Sequence, residues 1–172
     1  MLKPIVKRLL TLIRCENGGA LAELAIMVPF LVLMLAAVSE VGRYYQNYNT
    51  LAKATRNAAR YLSNHPLDAT ERTRATNLVV CGKLACAAGD TPLVKGISSS
   101  NVCLESTGSP KVASVTVKIP YAAADCNPMT GASAATPYTY TPVFDIGALL
   151  NVPSFTMALP IAPSTTMYYM ID

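Results

Sequence analysis

The sequence predicts an α+β chain in which one long N-terminal helix, transmembrane at first and amphipathic further on, packs on a small antiparallel β-sheet domain with disulfide-tethered loops. Three observations predict it. Sixteen residues from Leu24 to Ser39, LAIMVPFLVLMLAAVS, carry no charge. Helical periodicity then continues to Leu62, and beyond it two segments alternate apolar and polar residues, with four cysteines close by.

The apolar run comes first. With its flanks from Gly19 to Val41 it makes a helix of ~34 Å at 1.5 Å per residue, enough to cross a bilayer core. Two residues in it cost energy. Glu23 stands near the inner end, where an ionised carboxylate is cheaper than the ~2.5–3.5 kcal/mol it costs at a membrane centre. Pro29 removes one helix hydrogen bond and predicts a kink, which membrane helices tolerate. Ahead of the run, Lys3, Lys7, Arg8 and Arg14 against Glu16 give residues 1–18 a net charge of +3, and the whole chain carries only +4. A nucleic-acid binder keeps its basic face on the folded part. Here the charge sits before a membrane segment, so nucleic acid is excluded as a partner and the positive-inside rule applies. Residues 1–18 are expected in the cytoplasm, and whatever follows the apolar stretch is expected to be exported.

A cleaved secretory signal is the competing reading of such an N-terminus. It needs small residues in an A-x-A-like pattern after the core. Ala36-Ala37-Val38-Ser39-Glu40 fits poorly, and the helical pattern does not stop there. Tyr44, Tyr48, Leu51, Thr55, Ala58 and Leu62 recur at spacings of three and four, while Arg43, Gln46, Asn47, Lys53, Arg56, Asn57 and Arg60 take the other face. One helix of 19–62 therefore leaves the membrane as an amphipathic stalk. Glu40 and Arg43, three apart at the outer membrane edge, read as an ion pair or a snorkelling pair, with a helix–partner contact as the alternative.

Asn64-His65-Pro66 ends that helix, and residues 63–172 form the exported domain. Asp68 with Glu71 predicts a capped start for a short helix from Ala69 to Val80, stopped by Gly82. Residues 82–111, rich in Gly, Ser, Pro and Thr, read as loops. Ala113, Val115, Val117, Ile119 and Tyr121 predict a strand with one buried face. Phe155, Met157, Leu159 and Ile161 predict another, and Thr165 to Met170 a third, with Pro160 and Pro163 favouring an edge or bulge. Residues 122–142 read as a long irregular loop.

Cys15 belongs to the cytoplasmic segment, where thiols stay reduced. Cys81, Cys86, Cys103 and Cys126 lie beyond the membrane in disulfide-permissive space. Four cysteines allow three connectivities. The expected one, Cys81–Cys86 with Cys103–Cys126, closes the two shorter loops. A metal site is disfavoured, because there is no CxxC pair and the single histidine, His65, is distant in sequence. No cofactor is expected. His65 beside Pro66 reads as a turn residue, Gly-x-Ser-x-Gly and phosphate-cradling motifs are absent, and Asp90, Glu105, Asp125 and Asp145 are scattered. Tyr138, Tyr140, Tyr168 and Tyr169 read as core or interface. The chain is expected not to be an enzyme.

Gly18-Gly19-Ala20-Leu21-Ala22-Glu23-Leu24, behind a basic leader and opening an apolar helix, resembles a prepilin processing site. The wider string, from Glu16 through GALAELAIMVPFL and Glu40-Val41-Gly42-Arg43 to Thr55-Arg56-Asn57-Ala58-Ala59-Arg60-Tyr61, resembles the TadE-like pseudopilins of tight-adherence (Flp-type) pilus systems. Leu24 departs from the Tyr of the major pilins and the Phe often found in TadE-like proteins. The resemblance implies a pilin-like fold, cleavage between Gly18 and Gly19 by a prepilin peptidase, and Glu23 as the fifth mature residue. It also implies that Glu23 neutralises the new α-amino group on Gly19, one helical turn away, in its own chain or a neighbour's. The implied partners are the peptidase, other pseudopilins, the major pilin and inner-membrane platform proteins. Two other classes compete with a pilus subunit: an unprocessed single-pass anchor holding a periplasmic binding module, and an anchored envelope enzyme.

Overall fold

The computed structural model describes residues 17–108, 111–130, 132, 134–145, 147–148, 151–152 and 156–171, with side chains from Gly19 onward. The basic leader, including Cys15, lies outside the described residues. The chain divides into two compact units, Met1–Val41 and Gly42–Asp172. Helix α1, Asn17–Ser63, contributes residues to both.

In the first unit, the described residues form the apolar part of α1, including Pro29. In the second unit, α1 behaves as an amphipathic helix. Leu51, Thr55, Ala58, Ala59 and Leu62 are fully buried, Ala54 nearly so, and Tyr44 is half-buried. Tyr48 is the exception on the predicted face, 39% exposed. Lys53, Arg56, Asn57 and Arg60 face solvent. The helix ends where side chains take over its last carbonyls: Ser63 Oγ and Asn64 Nδ2 both donate to the Arg60 carbonyl, and Pro66 follows.

Helix α2 runs Ala69–Val80, the bounds its pattern predicts. Asp68 caps it by accepting the Glu71 N–H at 2.8 Å. Gly82 follows its end at φ +72°, a conformation that costs a side chain energy.

The sheet has three antiparallel strands in the order β1-β2-β3: β1 Cys103–Thr107, β2 Ser114–Lys118 and β3 Ser164–Tyr168. In register, Leu104 pairs with Val117 and Val117 with Thr165, while Ser106 pairs with Val115 and Val115 with Met167. That face joins Leu51, Ala58, Ala59 and Leu62 of α1 and Ala75 and Val79 of α2 in one core, with Ile119, Tyr138, Tyr140 and Ile161. Thr55 Oγ1 reaches Thr165 Oγ1 at 3.4 Å, and the Met170 N–H donates to the Ser63 carbonyl at 2.9 Å. The opposite face is polar. A Thr116–Thr166 hydroxyl pair lies at 2.7 Å and Lys118 bridges Glu105 at 2.8 Å.

Three sequence expectations need correction. Strand β1 lies inside the stretch read as loop, because Glu105, Ser106 and Thr107 hide its alternation. The strand expected around Met157, Leu159 and Ile161 does not form. Phe155 lies outside the described residues, and among the described residues the stretch 156–161 makes only one isolated bridge, Thr139 to Pro160. Two of its donors are used locally, the Ala158 N–H by Thr156 Oγ1 and the Leu159 N–H by the Met157 carbonyl, while the Ile161 N–H reaches the Tyr138 carbonyl. Finally, β2 is shorter than the alternation that predicted it. Among the described residues, 122–142 contain only a 3₁₀ turn, Ala123–Asp125, as regular structure, in keeping with a loop.

Candidate assembly helix

Each residue singled out by the sequence has a place in this frame. Along α1 from Leu21 to Val41 the large apolar side chains other than half-buried Leu33 are exposed: Ile26 is 76% exposed and Leu35 and Val38 are each 71%. An apolar surface of this length left uncovered marks a membrane or partner contact in a folded protein. The helix is long and apolar enough to cross a membrane. Glu23 is exposed and stands four residues, ~6 Å of rise, after Gly19. A Cβ built on Gly19 would meet nothing within 4 Å, and the same holds at Gly42, so packing within the chain does not demand a glycine at either position.

Glu40 and Arg43 are three residues apart on α1 but differ in environment. Glu40 is 1% exposed, whereas Arg43 is exposed.

The two disulfides are Cys81–Cys86 and Cys103–Cys126, as the shorter-loop pairing predicts, with Cα–Cα distances of 6.3 and 5.9 Å. Cys103, Glu105 and Cys126 place three ligand-type atoms within 4.8 Å of one another. Two of those atoms are sulfurs bonded to each other, so no thiolate is left to hold a metal. Glu105 instead accepts the Asn127 N–H at 2.7 Å and bridges Lys118.

The tyrosines divide. Tyr138 and Tyr140 are core residues, each 4% exposed, and burial raises the Tyr138 hydroxyl above the ordinary tyrosine pKa. Tyr138 donates to the Lys95 carbonyl at 2.7 Å, and Tyr140 meets Tyr44 edge-to-face at 5.7 Å. Tyr169 donates to the His65 carbonyl, while Tyr168 is 81% exposed.

Sequence reasoning missed a polar cluster where α1 meets α2. Glu71, only 8% exposed, accepts a hydrogen bond from Tyr61 and an ion pair from Arg74 at 2.7 Å. His65 stacks on the Tyr61 ring at 4.0 Å, and its Nδ1 lies 2.8 Å from the Tyr61 carbonyl. The signal available was Glu71 three residues after the cap, which reads as half of a capping box.

Residues 18–60 match the family described as TadE-like protein. The chain has no match among curated proteins and none among solved structures. The family is a structural pilus component and is not known for enzyme activity. The matched segment coincides with the apolar and stalk parts of α1, which together point to a pilus-related, membrane-anchored protein. Over residues 18–60, the long N-terminal helix, this chain is similar to the TadE-like family.

Proposed function

We propose that this chain is a pilus-biogenesis structural subunit, a pseudopilin or minor pilin, assembled through its N-terminal helix. The observation that carries the reading is coincidence: the TadE-like match covers the same residues whose apolar side chains are left uncovered. The anchor sits in the inner membrane, with residues 1–18 cytoplasmic and 63–172 exported. A prepilin peptidase cuts between Gly18 and Gly19 and leaves the apolar helix attached. The open space at Gly19 supports this, since a recognising enzyme rather than the fold then accounts for a small residue there.

Glu23 compensates the amine created at Gly19. Two charges at a hydrocarbon boundary pair in one register, and leaving one unpaired costs about 3–5 kcal/mol in buried cases. The subunit's neighbours are sister pseudopilins, the major pilin and platform proteins.

Intact-mass analysis of the membrane-extracted protein tests processing. A chain beginning at Gly19 supports it, whereas retention of Met1 and the leader supports a plain anchor carrying a binding module. Glu23→Ala is expected to insert in the membrane normally and to be lost from the assembly. Incorporation at the wild-type level would defeat the role given to Glu23.

A further inference from the structure

Strand β2 lies between β1 and β3, so the sheet in the second unit has two edges. The chain treats them differently. In an antiparallel ladder alternate residues turn their N–H and C=O toward one side. Leu104 turns its carbonyl away from β2, and there it accepts the Met129 N–H at 2.9 Å. The Cys103–Cys126 bridge ties the same loop to β1, so the protein lays its own chain along that edge.

On β3, two bonds fix the phase: the Ile119 N–H donates to the Pro163 carbonyl, and the Tyr169 N–H to the Ala113 carbonyl. Odd-numbered residues therefore face β2, and Ser164, Thr166 and Tyr168 turn their backbone groups outward. Met170, next in that phase, donates to the Ser63 carbonyl and closes the edge at its far end. Among the described residues, no backbone partner takes the outward groups of Ser164, Thr166 and Tyr168. All three residues are exposed. Natural edges are usually blunted by lysine, proline or a bulge. Ser164-Thr165-Thr166-Met167-Tyr168 carries no charge and no proline, and it pairs with β2 residue for residue.

Symmetry and charge identify the occupant. A two-fold axis at Thr166 sets Ser164 opposite Tyr168 of a second copy and Thr166 opposite itself, so each outward N–H meets a carbonyl. The exposed Tyr168 ring then lies beside a small serine. An uncharged strand meets its own copy without repulsion, whereas a lysine at the centre would face itself.

We propose that β3 is a homodimer edge, pairing antiparallel with β3 of a second copy about Thr166 and joining two three-stranded sheets into one. Five residues a side is small beside the roughly 20–30 of a stable interface, so the pairing is reversible and depends on concentration.

The test uses the full chain in detergent, with Cys15→Ser removing the one cysteine outside the two disulfides. Native mass spectrometry should show a dimer that grows with concentration. Thr166→Pro removes an outward N–H and leaves the bonds to β2, and Thr166→Lys sets like charges opposite. Each should weaken the dimer about tenfold, the worth of the bonds lost or opposed. Register is read separately with a short bismaleimide. Thr166→Cys should link to itself, and a mixture of Ser164→Cys and Tyr168→Cys chains should link to each other, whereas Ser164→Cys alone and Thr107→Cys on β1 should not. These linkages keep the proposal falsifiable if a Thr166 variant folds poorly. A purely monomeric chain, a dimer that survives both folded Thr166 variants, or equal linkage at Thr107 and Thr166 overturns it. A dimer held by the apolar helix instead would leave Thr166→Cys unlinked, which also overturns it.

Discussion

Lys83 Nζ lies 2.7 Å from Asp90 Oδ1, and the Ala87 N–H donates to Asp90 Oδ2 at 2.9 Å. The lysine first, and the backbone donor second, hold the Asp90 carboxyl below the usual aspartate range. A lowered folded pKa stabilises the loop above the unfolded aspartate value near ~3.9, and that contribution fades as pH falls through the folded value. Lys83→Met should therefore move the Asp90 titration back up toward the ordinary range, followed by carboxyl-carbon NMR. Glu71 provides the second residue-scale expectation. Tyr61→Phe removes its hydroxyl donor but leaves the Arg74 bridge, for a loss of about 1–3 kcal/mol in denaturant titration of the detergent-solubilised chain. Glu71→Ala should cost more, since both partners then lose their acceptor. Sequence could place Glu71 near a helix start but not beside Tyr61. That pairing depends on the turn at Asn64–Pro66, which brings Glu71 beside Tyr61.

Among the elements, helices were legible and strands only in part. Both helices announce themselves through local signals: a long uncharged run, a 3.6-residue rhythm, an aspartate cap and a glycine stop. Strand β2 carries its own alternation, whereas β1 depends on its partner. Its polar residues Glu105 and Thr107 face Thr116 and Ser114 on the solvent side, so its identity lies in the register rather than in its letters. The turn joining them passes through Gly108 at φ +108°, where a Cβ would collide with the Lys111 carbonyl and the Ala113 nitrogen. Gly108→Ala should cost about 1–3 kcal/mol and show as a lower melting temperature with both disulfides intact. The failed strand near Leu159 teaches the converse. Alternation was present, but Pro160 offers no N–H to a ladder and Thr156 captured a neighbouring donor.

For the molecule as a whole, two covalent links and one core carry the second unit. The chain-entropy account gives about 3.4 kcal/mol for the Cys103–Cys126 bridge and about 2 kcal/mol for Cys81–Cys86, since the former closes 23 residues and the latter 5. Replacing Cys103 and Cys126 by serine should thus lower stability more than replacing Cys81 and Cys86, measured by urea unfolding at matched detergent. Pairing was legible because short loops close most readily. The closing of the sheet has a consequence for how the protein is made. Strand β3 and the bond from Met170 to Ser63 arrive more than a hundred residues after the helix they complete. A half-delivered chain therefore shows an open β2 edge and an unfinished core to any protease nearby. Ribosomal stalling or premature stop products shorter than Ser164 would be cleared, and only copies that carry β3 would survive to be used.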